Sequence, residues 1–220
     1  MREMKIPESG PKLKLLEIAE QLVVAKGFEA VSVRDITQAA EVNVAAVNYH
    51  FGSRSALLDL VMFRQVIPIN DERLARLDAV DHKSSAKPSL EEILGAWLRP
   101  LLNQARKSEL PNPGFDRLLG QIFARQTEDW PAVVRESMQQ VTDRFLKSFA
   151  KALPMLAAEE LAARFNFATG GMIHLLTHPA PTLHLEAQLR RFIPFAAAGL
   201  REGTDAELPA KNSPQATFDF

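Results

Sequence analysis

A short polar segment in the first quarter of the chain has the residue types and spacing to read nucleic acids. Asn48 and Tyr49 follow Ala45 and Ala46, and short side chains let a helix come close to base edges. An asparagine amide can form two hydrogen bonds with an adenine edge, and a tyrosine hydroxyl can reach a phosphate oxygen. Arg54 carries a planar, permanently charged guanidinium, which is suited to binding a phosphate group. These residues predict contact with double-stranded DNA.

A helix-turn-helix unit would position those side chains. The pattern predicts a first short helix from Ser32, which can cap it with Asp35 as a capping-box partner, to about residue 40. A turn at 41–43 and a second helix over 44–50, capped by Asn43, complete the unit. The expected core between the two helices consists of Ile36, Ala40, Val42 and Val47, with Thr37 small enough for a close crossing.

Other residues of this segment could also meet DNA. Arg34 and a flexible basic arm near Lys12 and Lys14 are candidates for phosphate contacts. His50 could contact phosphate or pack, and Ser32 could both cap a helix and donate to phosphate. Residues 1–56 hold seven basic and seven acidic side chains, so attraction to DNA depends on where the charges lie and not on their sum.

Composition excludes several classes of protein. The 220 residues are 46% hydrophobic and 24% charged, with a net charge of -1 and no cysteine, which rules out a disulfide-stapled domain, a thiolate zinc site and a cysteine nucleophile. The first residues are too polar for a signal peptide. The charge-free run 165–185 is long enough to span a membrane, but its glycines, histidines and prolines favour a buried helix. We expect a cytoplasmic protein without a membrane partner.

Helical periodicity continues to residue 201 and predicts an all-α fold. Residues 1–56 form the expected DNA-binding domain, 57–201 form a helical bundle, and 202–220 have the composition of a flexible tail. Pro68 predicts a kink or break near 64–68, and the polar stretch 81–87 predicts a linker. The remaining helices are expected at about 11–26, 88–107, 115–126, 131–153, 158–178 and 183–201.

The second half offers a binding cavity and no catalytic site. Its motifs include no nucleophile elbow, phosphate loop or spaced carboxylate pair, so we expect no enzyme activity and no cofactor. Isolated polar and aromatic groups among apolar helices predict an effector pocket, with a plain core as the alternative: Trp97, Gln121, Arg125, Phe167 and His174. Arg125 is the candidate for an anionic head group, or else it pairs with Glu128 or Asp129. His174 and His178 have a metal-ligand spacing without a third ligand, so no metal is expected.

The segment KGFEAVSVRDITQAAEVNVAAVNYHFGSRSALL resembles the DNA-binding domain of TetR-family transcriptional regulators over about residues 12–62. The resemblance implies a homodimer that binds a palindromic operator, in the manner of a repressor, and a small-molecule effector that releases it. Three positions depart from the family pattern: Glu41 stands where glycine is usual, Thr37 stands where alanine is usual, and Asn48 stands where tyrosine is usual. The fragment VNVAAVNYHFGSR is similar to regulators of fatty-acid degradation, which suggests an acyl effector.

The resemblance also implies a dimer interface in the last two helices. Two apolar stripes supply candidate residues for a four-helix seam between subunits: Phe165, Ala168, Met172, Leu189, Phe192 and Ala196. A second class of function remains open, that of a helical small-molecule-binding or interaction protein whose helix-turn-helix does not bind DNA. Salt-sensitive, sequence-selective DNA binding would distinguish the two classes.

Overall fold

The computed structural model describes residues 5–83, 87–108, 110, 114–178 and 184–202. Across these ranges the chain forms α-helices, one 3₁₀ turn and no strand, so the predicted all-α class is confirmed. The helices are α1 (Gly10–Lys26), α2 (Val33–Ala40), α3 (Ala45–Phe51), α4 (Arg54–Lys83), α5 (Leu90–Lys107), α6 (Gly114–Phe123), α7 (Ala132–Ala152), α8 (Ala158–Thr177) and α9 (Leu185–Arg201).

Local signals in the sequence set the ends of the first three helices. α1 ends at Gly27, whose φ of 87° lies in the region that favours glycine. The predicted capping box starts α2, since the Ser32 hydroxyl accepts from the Asp35 N–H at 3.1 Å and the Asp35 carboxylate accepts from the Ser32 N–H at 2.9 Å. Buried Ile36, Ala40 and Val47 join α2 to α3. Val42 is exposed, so its predicted place in this core is wrong.

α4 is a single long helix that connects the first three helices to the rest of the chain. It runs unbroken through Pro68 to Lys83, so the predicted break at 64–68 and a linker beginning at residue 81 are not found, whereas a kink at Pro68 stays a prediction. Its far end is held against α7, because Ser148 donates to the Asp81 carboxylate at 3.1 Å and Arg144 pairs with Asp78. Tertiary packing therefore outweighs the local cost of the proline.

The remaining helices surround a core rich in aromatic side chains. The Trp97 and Phe165 rings lie 5.0 Å apart, and the Phe165 and Phe149 rings lie 5.5 Å apart. α6 ends earlier than the sequence predicts, and a 3₁₀ turn at Thr127–Asp129 separates it from α7. Within the described ranges, no helix is both long and apolar enough to cross a bilayer. The predicted tail lies outside the described residues beyond 202.

Candidate DNA-binding interface

The outward face of α3 carries the side chains that the sequence assigns to DNA. Ala45, Asn48 and Tyr49 are exposed, with 85% of Tyr49 accessible, and Ala46 is half-buried. Val47 and Phe51 are buried on the opposite face. The helix is thus fixed from behind by apolar packing, while short and polar side chains point outward. This is the arrangement that direct reading of base edges requires.

The turn before α3 adds an apolar group that the sequence reasoning missed. The Asn43 amide oxygen accepts the Ala45 N–H at 2.8 Å, so Asn43 caps the helix as predicted. Val44 follows it and is more than half exposed. An apolar side chain at this edge of the helix can contact a thymine methyl group. The signal in the sequence was a β-branched residue next to a cap, outside the apolar pattern of α3.

Glu41 stands where glycine is usual and adopts a left-handed backbone conformation, which favours glycine. Its φ of 57° and ψ of 41° are left-handed, and it is the non-glycine residue with positive φ among the described residues. Its N–H closes α2 by donating to the Gln38 carbonyl at 3.2 Å. A side chain in this conformation destabilises the turn by about 1 kcal/mol relative to glycine.

The structure gives Arg54 partners other than the phosphate that the sequence predicts. At the start of α4, its guanidinium donates through Nε to the Val31 carbonyl and through Nη2 to the carbonyls of Phe28 and Glu29, the last at 3.2 Å. All three acceptors lie in the loop between α1 and α2. Arg54 therefore joins the α1–α2 loop to the start of α4, three residues after α3 ends.

The other basic candidates divide into exposed and occupied groups. Arg34 is exposed on the first turn of α2. Lys12 and Lys14 lie inside α1, so the predicted flexible arm at these residues is wrong. Lys14 donates to the Ala40 carbonyl at 3.1 Å, and Lys12 lies 5.5 Å above the Phe51 ring. His50 is half-buried, with its ring edge-to-face with that of Tyr49.

An ion pair fixes the start of α2 to the end of α1. The Lys26 ammonium lies 2.6 Å from the Asp35 carboxylate, which also accepts from Ser32. Lys26, followed by the hydrogen bonds from Ser32, lowers the pKa of Asp35 well below its ordinary value. Ser32 is exposed but serves this capping box. Its donor role toward phosphate stays a prediction.

The residues predicted to form an effector pocket do not come together. Trp97 is buried in the aromatic core, whereas 77% of Phe167 is accessible and His174 is exposed on α8. The side chains of Phe167 and His174 point away from the interior, so their predicted place in a pocket is wrong. The His174 and His178 rings stack 4.5 Å apart. Among the described residues, no group of three or more His, Cys, Asp or Glu side chains could hold a metal ion.

Gln121 and Arg125 lie instead where α6 and the residues after it meet α1 and the α1–α2 loop. The Arg125 guanidinium pairs with Glu29 at 2.6 Å and lies 5.0 Å from the centre of the Phe28 ring. The Gln121 amide lies 3.5 Å from the Val24 carbonyl. Arg125 thus pairs with the α1–α2 loop and not with Glu128 or Asp129. We call this set the α1/α6 junction: Val24, Phe28, Glu29, Gln121 and Arg125.

The six residues predicted to form the dimer interface are buried within one protomer. They face the protomer core and cannot meet a second copy, so this prediction is corrected: Phe165, Ala168, Met172, Leu189, Phe192 and Ala196. Periodicity located the stripes correctly but not what covers them. The same two helices expose a different set, here named the α8/α9 outer face: Phe167, Gly170, His174, Phe195, Ala198 and Gly199.

Two family models together match most of the chain. Residues 15–61 match the model described as bacterial regulatory proteins of the tetR family, and residues 95–199 match a Tetracyclin repressor-like C-terminal domain. The Probable HTH-type transcriptional regulator YttP of Bacillus subtilis is 42% identical over 48 residues, which is 22% of this chain and 23% of that protein. This match therefore spans about a quarter of the relative.

Solved structures extend the likeness to nearly the whole chain. The TetR family transcriptional regulator PfmR from Thermus thermophilus matches with a TM-score of 0.60 and 18% identity, covering 86% of this chain and 97% of PfmR. The ketosteroid transcriptional regulator KstR2 of Mycobacterium tuberculosis matches with a TM-score of 0.61 and 15% identity, covering 90% and 98%. At these identities the likeness establishes the fold.

Proposed function

Because the chain belongs to the TetR family of DNA-binding transcriptional regulators, we propose that it is a ligand-responsive repressor that binds a palindromic operator as a homodimer. The observation that carries this proposal is the outward face of α3, where exposed Ala45, Asn48 and Tyr49 stand on a helix anchored by buried Val47 and Phe51. The repressor acts in the cytoplasm, where the chromosome is.

The contacts to DNA follow from the chemistry of each side chain. Asn48 is placed to read an adenine edge, and Ala45, Ala46 and Val44 allow close approach and apolar contact in the major groove. The side chains around that contact are proposed to bind the phosphate backbone of the DNA, which sets the register without reading the sequence: Tyr49, His50, Ser32, Asn43 and Arg34. Arg54 instead joins the α1–α2 loop to the start of α4.

We place the dimer contact on the α8/α9 outer face. Phe167 and Phe195 are 77% and 74% accessible, and large aromatic side chains gain most from being covered. Gly170 and Gly199 beside them allow two helices to approach closely. Four helices, two from each copy, would bury both aromatic residues. A two-fold dimer then presents its two α3 helices to half-sites about 34 Å apart, or a small multiple of that spacing.

The α1/α6 junction is proposed to couple the effector to DNA. A ligand among α4–α9 that shifts α6 moves Arg125, and with it Glu29 and the loop that Arg54 holds. A ligand that prefers the DNA-incompetent arrangement about 100-fold supplies about 2.7 kcal/mol, enough to switch operator occupancy. A long-chain acyl compound is the proposed effector, from the similarity of VNVAAVNYHFGSR to regulators of fatty-acid metabolism.

Fluorescence anisotropy on mixed genomic fragments at two salt concentrations tests the DNA-binding function. The proposal predicts that a few fragments bind much more tightly than the rest, and that affinity falls steeply as salt rises. Uniformly weak binding, with no selected fragment, would instead favour a helical small-molecule-binding protein whose helix-turn-helix does not engage DNA. The Asn48→Ala variant should bind the selected fragments about 1–3 kcal/mol more weakly and leave the weak, salt-sensitive background binding unchanged.

A further inference from the structure

A positive charge lies inside the C-terminal domain without an acidic partner. Arg73, in the middle of α4, is 1% exposed. Its Nε donates to the Trp97 carbonyl at 2.9 Å, its Nη1 donates to the Asn70 amide oxygen at 3.1 Å, and its Nη2 lies 3.8 Å from the Met172 sulfur. Each of these acceptors is neutral. Among the described residues, no carboxylate bonds to this guanidinium.

The arrangement leaves Arg73 short of strong acceptors. A guanidinium carries five N–H donors, and a thioether sulfur is a weak acceptor. Burial lowers the pKa of Arg73 to about 9, so the group still carries its charge at neutral pH. A buried charge that no anion compensates destabilises the fold. An anion that reached Nη2 would therefore gain a strong, charge-assisted hydrogen bond.

The surroundings define which anion could bind. The guanidinium lies 5.7 Å from the centre of the Trp97 ring, and that ring lies 5.0 Å from Phe165. Two methionines flank the hydrogen-bonded pair of Arg73 and Asn70. Met172 faces Arg73, and the Met138 sulfur lies 3.3 Å from the Asn70 amide. Unbranched thioether side chains can move aside and repack. One cation in an apolar site balances one negative charge and no more.

We propose that Arg73 binds the carboxylate of a hydrophobic monocarboxylate in the core between α4, α5 and α8. The carboxylate replaces the Met172 sulfur at Nη2, and the apolar body of the ligand packs against the aromatic side chains. The proposal rests on the proposed effector function and specifies its chemistry. It assigns the anion to Arg73 and not to Arg125, whose charge already meets Glu29 at 2.6 Å.

Isothermal titration calorimetry on the full chain tests the proposal, with octanoate and phenylacetate as probes and octanol and phenylacetamide as neutral analogues. We expect at least one carboxylate to bind the wild type and its neutral analogue to bind about 10- to 100-fold more weakly, because the charge-assisted bond is lost. Arg73→Met should lose the preference for the charged probe. Arg99→Met, which removes an exposed arginine from α5, should retain it.

Any of three results would overturn the proposal. The first is equal affinity of the wild type for a carboxylate and its neutral analogue, a comparison that stands even if Arg73→Met does not fold. The second is unchanged carboxylate binding in a folded Arg73→Met variant. Operator binding, measured on the same samples by anisotropy, keeps the proposed function separate. A protein that selects operators but binds no carboxylate contradicts the Arg73 site alone.

Discussion

Arg54→Ala distinguishes the two roles that an arginine next to the recognition helix can have. The side chain donates to three carbonyls of the α1–α2 loop, two of which belong to the buried residues Phe28 and Val31. Hydrogen bonds from a charged group contribute about 1.5–3 kcal/mol each and are not additive. The third acceptor, Glu29, is on an exposed residue and adds little. We expect the substitution to cost about 3 kcal/mol.

Thermal unfolding and DNA binding measured on one variant check this expectation. For a chain of this size, about 3 kcal/mol lowers Tm by about 6–12 °C. Well below that temperature, the dependence of DNA affinity on salt should match the wild type, because no phosphate contact has been removed. Arg34→Ala is the matched control. Its Tm should be unchanged and its salt slope should fall by about 0.9, the value for one phosphate contact.

The opposite result would refute the reasoning. If Arg54→Ala unfolds within about 2 °C of the wild type and its salt slope falls by about one phosphate contact, then Arg54 leaves the loop and binds the DNA backbone. Arg54→Lys adds a further check. A single ammonium cannot reproduce the planar fork of donors, so this variant should unfold close to Arg54→Ala while keeping the positive charge.

Substitutions at Glu41, Phe195 and Asp35 test the left-handed turn, the proposed dimer contact and the ion pair to Lys26. In a denaturant titration, Glu41→Gly should stabilise the protein by about 0.5 kcal/mol, because the strain removed from the left-handed backbone exceeds the entropy that glycine adds to the unfolded chain. Gln38→Gly within α2 should destabilise the protein in the same titration. Phe195→Glu should give folded monomers in sedimentation that bind the operator weakly, whereas Ala196→Glu, at a buried position, should lower Tm. A Phe195→Glu variant that remains a dimer would place the contact elsewhere. Lys26 and Ser32 lower the folded-state pKa of Asp35, so the stability that Asp35 contributes is complete above its unfolded pKa of about 4 and is lost as pH falls toward the folded value. Asp35→Asn should therefore flatten the dependence of Tm on pH below pH about 4. The same fall of Tm with pH in the variant and the wild type would contradict the pairing.

The sequence predicted the limits of α1, α2 and α3 well because those limits depend on neighbouring residues. The capping box of Ser32 and Asp35, the turn at Gly27 and the cap at Asn43 are local events that propensity and spacing determine. The outward face of α3 follows from the same periodicity. Pro68 failed as a signal for a break because long-range packing of α4 against its neighbours holds the helix together.

The partners of long side chains could not be predicted, because they depend on which loops meet in space. Arg54 and Arg125 both reach the α1–α2 loop, which is distant in sequence from each of them. Periodicity also cannot tell whether a stripe meets its own core or a second copy, and this is why the dimer residues were misassigned. Arg73 does carry a sequence signal, since it interrupts the buried series Val66, Ile69 and Leu77 at a core position of α4.

Above all, we propose that two copies of α3 each read the major groove at one half-site of a single operator. Hydroxyl-radical footprinting on a fragment selected by the wild type tests it most directly. We expect protection with two-fold symmetry, in two blocks about 34 Å apart or a small multiple of that spacing. Asn48→Ala should weaken both blocks equally and cost about 1–3 kcal/mol at the selected site. A single asymmetric block, or a footprint that Asn48→Ala leaves unchanged, would contradict the account.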